Sequence, residues 1–140
     1  MKYGRGYHAA PLYGSKGKRA IVKITAEITP IPLGRPRLNT TNRGRYLPKS
    51  NVEFREKLQW ILRSAFPGKP FENPLSVTLH FYKPTKTTAK NYGDVDNLAK
   101  AVLDAGNGIL WLDDSQIVEL HGYKHKGEGK IEMEVVENVD

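Results

Sequence analysis

Apolar and polar residues alternate from Ala20 onward, with Val22, Ile24, Ala26 and Ile28 set between Lys23, Thr25, Glu27 and Thr29. A period of two predicts a half-buried strand, which Pro30 and Pro32 end. The period then changes. Phe54, Leu58, Ile61, Leu62 and Ala65 recur at helical intervals after Ser50-Asn51-Val52-Glu53, a spacing that predicts a capping box at the helix start. Pro67, Gly68, Pro70 and Pro74 punctuate its exit, and Leu75, Val77, Leu79 and Phe81 alternate again as a second strand. Val95, Leu98, Ala99 and Val102 form the apolar stripe of a second helix over residues 95–105, which Gly106 and Gly108 stop. Two further strands, near residues 115–124 and 130–136, are expected as a hairpin closed by Gly127-Glu128-Gly129. The order β-α-β-α-β-β predicts an α/β two-layer sandwich, a mixed sheet with two helices on one face.

Residues 1–19 show no periodicity and are rich in Gly, Lys, Arg and Tyr, so they read as a flexible basic arm ahead of one domain over residues 20–140. Gly4-Arg5-Gly6-Tyr7-His8-Ala9 matches a dinucleotide fingerprint only in form, because no strand precedes it. The 22 Lys and Arg against 15 Asp and Glu leave a net charge of +7, which favours an anionic partner, nucleic acid first. The charge is concentrated in two loops. Residues 30–49 carry Arg35, Arg37, Arg43, Arg45 and Lys49 with no acidic residue, and residues 83–93 carry Lys83, Lys86 and Lys90. The absence of cysteine removes disulfides, thiolate metal sites and a cysteine nucleophile. With no signal-peptide core and no membrane-length apolar run, a cytoplasmic protein is expected.

Candidate chemistry lies in Gly93-Asp94-Val95-Asp96-Asn97 and in Asp113-Asp114. Phosphodiester cleavage uses a hard cation, and Mg²⁺ takes oxygen ligands. Two Asp at i, i+2 before a helix can aim into one space, and a third from a distant loop would close it. The same residues can equally cap a helix or form a turn, so spacing alone does not establish a metal site. Lys100, four residues after Asp96, reads either as a cation for the phosphate or as an ordinary ion pair along the helix. Asp104 reads as a solvated helix residue. His121 and His125 are about 13 Å apart along an extended strand, too far for one metal; His80 and Tyr123 read as packing or solvent residues.

Residues 93–118, GDVDNLAKAVLDAGNGILWLDDSQIV, resemble the signature region of the RusA family of Holliday junction resolvases. Both the D-x-D-N-L-x-K opening and the W-L-D-D-x-Q closing match, at the family's separation. A weaker resemblance, through a strand, a proline turn and an Arg-rich loop with N-R-G-R, extends the match over residues 20–136. The resemblance implies a homodimeric, Mg²⁺-dependent endonuclease, with Mn²⁺ as a substitute, that resolves four-way junctions by paired symmetric nicks in recombination and repair. By motif position it implies Asp94, Asp96 and Asp114 as metal ligands, Lys100 as the catalytic lysine, Asp113 and Asn97 as supporting residues, and Arg35 and Arg37 near the DNA-contacting turn. The chain departs from the family where a tight basic cluster precedes the first Asp, having Lys90-Asn91-Tyr92-Gly93 there. Phosphate contacts would then be shared among Lys83, Lys86 and Lys90. Two alternatives stand beside this one: a phage-type nuclease of branched DNA acting in debranching or packaging, and a noncatalytic DNA-binding protein with a structural acidic cluster.

Overall fold

The first strands of the computed structural model, β1 (His8–Gly14) and β2 (Gly17–Ala26), pair antiparallel, with Pro11 opposite Ala20. The structure describes residues 8–14, 17–34, 37–38 and 45–138, with side chains described for 20–34 and 47–138. Strand β1 lies within residues 1–19, the stretch expected as a flexible basic arm. Its sequence has no alternation to read, and its pairing comes from the backbone of β2. Among the described residues β1 is the edge strand of the sheet, the position where proline is tolerated. Residues 1–7 lie outside the described residues.

Along the long basic loop, two short antiparallel segments, β3 (Arg37–Leu38) and β4 (Arg45–Tyr46), form a separate ribbon. Helix α1 (Lys49–Ala65) follows, and it starts one residue before the expected cap. Pro48 occupies the cap position with no side-chain cap bond, and its carbonyl accepts from the N–H groups of Asn51 and Val52. Proline's fixed φ presets this entry, so the Ser50 capping box is not used. Asn51 instead turns inward: its Oδ1 accepts from Gly34 N–H at 3.1 Å and its Nδ2 donates to the Pro32 carbonyl at 3.0 Å. That buried amide ties the root of the basic loop to α1.

Strand β5 (Leu75–Lys83) alternates buried and half-buried residues along its length. A single turn, α2 (Ala89–Tyr92), leads into helix α3 (Val95–Gly106); then come β6 (Ile117–Lys126) and β7 (Lys130–Glu137). The sheet order is β1-β2-β7-β5-β6, mixed because β5 and β6 run parallel. With β1, the short ribbon and α2 set aside, the order β-α-β-α-β-β and the α/β class stand as expected. The expected hairpin of the last two strands does not. β6 and β7 both pair with β5 and not with each other, so residues 127–129 cross the end of β5, where Gly127 N–H donates to the Lys83 carbonyl at 2.7 Å. A glycine-rich link of three residues suits a hairpin and this short crossing alike, and only the register separates them.

The core fills the space between one sheet face and the two long helices. Val22, Ile24, Leu75, Val77, Leu79, Phe81, Ile131 and Val135 supply the sheet side; Leu58, Ile61, Leu62, Leu98 and Val102 supply the helix side. Val95, expected in the stripe of α3, is more exposed than the rest and covers Gly122 of the outer strand. Among the described residues, no helix is long and apolar enough to cross a membrane.

Candidate active site

The acidic residues stand on two supports that are far apart in sequence. The first is the start of α3. Gly93 has φ of 97°, a conformation that side chains other than glycine rarely adopt, and a Cβ there would come within 3.0 Å of Pro32. The chain can therefore reverse between α2 and α3 while the root of the basic loop packs against it. Asp94 follows as the extended N-cap residue, yet its carboxylate makes no capping bond. Asp96, in the first turn, accepts from Asn97 N–H at 2.9 Å, and the Asn97 carbonyl accepts from Leu33 N–H at 3.0 Å. Asp94, Asp96 and Asn97 are all exposed.

The second support is the turn before β6. Trp111 is fully buried, and its indole N–H donates to Asn107 Oδ1 at 2.9 Å. Its ring lies so close to Gly106 that a Cβ there would sit 2.5 Å from a ring carbon. Glycine ends α3 here because Trp111 needs the room. The backbone on either side of Trp111 bonds to Phe71, and a short 3₁₀ helix at Asp114–Gln116 follows. Asp113 caps that helix in a reciprocal capping box with Gln116. The hydroxyl and backbone N–H of Ser115 hold the Asp113 carboxyl below its ordinary range. Gln116 also donates to the carbonyls of Phe71 and Asn73, at 2.9 and 3.1 Å. The W-L-D-D-x-Q pattern thus reads as an anchor, a cap and a clamp around Asp114.

Lys100 joins the two supports. Its Nζ lies 3.2 Å from Asp104 Oδ1 and 3.4 Å from Asp114 Oδ2, so the helical partner is the following Asp104 rather than Asp96. The hydrogen bond that it donates to Asp104 first, with Asp114 adding to it, raises the Lys100 ammonium above the ordinary lysine value. Asn107 Nδ2 reaches the same Asp114 oxygen at 3.5 Å. Asp114 is therefore brought to Lys100, which lies one helical turn, about 6 Å along the axis, beyond Asp96. Among the described residues, no three Asp, Glu or His side chains are gathered as a metal-holding group. Asp94, Asp96 and Asp114 suit Mg²⁺ in donor chemistry, being oxygen ligands with Asp94 uncommitted as a cap, while Asp114 is engaged by an ammonium.

The cationic residues divide. Lys86, on the loop after β5, and Lys90, in α2, are exposed. Lys83, expected as a DNA contact, is buried: its Nζ donates to the Tyr92 carbonyl at 3.0 Å, and burial lowers its affinity for the proton. Strand alternation turned it inward. Arg35 and Arg43 lie outside the described residues, as do the side chains of Arg37 and Arg45. His80 Nδ1 and His125 Nε2 meet at 2.7 Å on the sheet face away from the helices, and His121 pairs with Glu119. Sequence reasoning missed Asn107, Tyr92 and Lys124. Only a contact across the fold distinguishes them from other polar residues.

The chain is 26% identical over 136 residues to the uncharacterized protein YqaN of Bacillus subtilis (strain 168), covering 83% of this chain and 96% of that one. A solved structure, AaThiL complexed with AMPPCP and TMP, aligns with 94% of this chain at 13% identity and a TM-score of 0.43; the chain spans only 36% of its length. The model of the family described as endodeoxyribonuclease RusA matches residues 27–136, a span that includes both acidic supports and the strands and helices that carry them. By that match the chain belongs to the RusA endodeoxyribonuclease family, nucleases that act on branched DNA.

Proposed function

We propose that the protein is a Mg²⁺-dependent, structure-selective endonuclease that resolves four-way DNA junctions by paired symmetric nicks, as a cytoplasmic homodimer in recombination and repair. The observation that carries this reading is the meeting of Lys100 with Asp114 at 3.4 Å, which joins the D-x-D-N-L-x-K segment to the W-L-D-D-x-Q segment. Asp94, Asp96 and Asp114 would hold the metal, which when bound supplies Lewis-acid stabilisation and activation of water. In the reaction itself, a water oxygen bonds to phosphorus in line with the departing 3′ oxygen. The P–O3′ bond breaks, the 3′ oxygen takes up a proton, and a 5′-phosphate remains.

The chain's own residues do the rest. Lys100 stabilises negative charge on the phosphoryl oxygens and otherwise offsets the charge of Asp104 and Asp114. The exposed Lys86 and Lys90 meet backbone phosphates, which gives salt-dependent affinity with little sequence reading. An isologous dimer presents two identical sites to a nearly symmetric junction, so matched strands are cut.

The test is cleavage of a labelled synthetic four-way junction, beside linear duplex and flap controls, by wild type and Asp96→Asn in Mg²⁺ and in EDTA. Paired nicks confined to the junction, lost in EDTA and in Asp96→Asn, are expected. Equal cutting of flaps and junctions would instead favour a debranching nuclease, and binding without cutting would overturn the catalytic reading.

A further inference from the structure

The two backbone carbonyls that precede Asp94 are each held by a lysine from the sheet. Lys83 Nζ on β5 donates to the Tyr92 carbonyl at 3.0 Å, and Lys124 Nζ on β6 donates to the Gly93 carbonyl at 2.9 Å. Both ammonium groups lie 5.2 Å from the centroid of the Tyr92 ring. That ring is only 4% exposed, and its hydroxyl lies within 2.7 Å of the Phe81 carbonyl and 2.6 Å of the His125 carbonyl. The same two strands therefore hold Tyr92 at its tip and its carbonyl, and hold Gly93 at the next carbonyl. Gly93 takes a backbone conformation that L side chains rarely adopt, with φ of 97°.

A buried ammonium is costly, and a neutral amide could serve a single carbonyl. Two ammonium groups on consecutive carbonyls achieve something an amide does not. They fix the peptide planes entering α3, and they bring positive charge up to the start of a helix that carries Asp94 and Asp96. We infer that Lys83 and Lys124 are positioning residues that, through Tyr92 and Gly93, set the direction of the Asp94 carboxylate. The inference rests on the nuclease reading of Asp94. It differs from a role in DNA binding, because both ammonium groups are directed at the backbone of their own chain.

The decisive variant is Lys124→Met, since Lys124 is exposed and its loss leaves the core intact. A loss of about tenfold in kcat for junction cleavage is expected, with KM and the salt slope unchanged and with Lys124→Arg restoring most of the rate. Mn²⁺ titration of the wild type and the variant, without DNA, should show binding weakened by about tenfold. Hydrogen exchange should quicken at the Leu98 amide, which bonds to the Asp94 carbonyl. Lys83→Met should repeat these effects if it folds, and Lys124→Met decides the matter if it does not. A raised KM and a shallower salt slope at unchanged kcat and Mn²⁺ affinity would overturn the inference and make Lys124 a phosphate contact. Mn²⁺ binding that is lost in Asp94→Asn but intact in Lys124→Met would overturn the inference alone. A wild type that neither binds Mn²⁺ nor cuts would bring down the nuclease reading, and this inference with it.

Discussion

The entry to α3 and the turn at Asp113-Asp114 present the same chemistry, exposed or half-exposed carboxylates, on supports of opposite kind. At the turn, a buried indole, a glycine without room for a side chain and a reciprocal capping box hold the backbone. At the helix entry, ammonium groups grip carbonyls, and apolar packing comes mainly from Tyr92 and Pro32. Packing is strong and shared with the whole core, whereas charge-assisted hydrogen bonds act over a few atoms. Damage to the first support should therefore appear as lost stability, and damage to the second as lost function in a folded protein.

The largest effect expected from breaking this contrast is at Trp111. Trp111→Ala empties a fully buried site and should cost about 3–5 kcal/mol in urea unfolding. A cost below about 1 kcal/mol would mean that the turn is not anchored by packing. Gln116→Ala, which removes a clamp and half of a capping box at the surface, should cost about 1 kcal/mol in the same measurement. Junction cleavage should fall further than that stability change explains. If cleavage were unaffected, Gln116 would serve the fold and not Asp114.

The smallest effect separates the two supports by sign. Lys83, at the helix entry, has its proton affinity lowered by burial and by the neighbouring Lys124 charge. In the interval between that lowered value and 10.5, the unfolded chain binds more protons, so Lys83 adds stability as pH rises. Lys100, on α3 and paired with Asp114 of the turn, is raised above 10.5 by Asp104 and Asp114, so its contribution is complete below 10.5 and is lost as pH climbs through the raised value. Differences in melting temperature between wild type and each Lys→Met variant, followed from pH 8 to 12, should slope in opposite directions. Slopes of the same sign would refute the contrast.

Much of the fold was legible because burial imposes a period. Leu75, Val77, Leu79 and Phe81 in β5, and Leu58, Ile61 and Leu62 in α1, each announce an element that faces one core. Strand β1 was not legible, since an edge strand paired through its backbone carries no such period. Ser50 misled because a capping-box spacing says nothing of Pro48, which starts the helix on its own. The hairpin expected of β6 and β7 failed for a similar reason: local turn chemistry cannot report that β5 lies between them.

Local periodicity and motifs of fixed spacing carry the element types, the α/β class and the two acidic segments. Which residues meet was set by the three-dimensional fold. It paired Lys100 with Asp104 and Asp114 instead of Asp96, turned Lys83 inward onto Tyr92, and made Asp113 a cap while leaving Asp94 uncommitted as one. Ion pairs and hydrogen bonds form over about 3 Å between residues whose separation in the chain carries no trace of that distance.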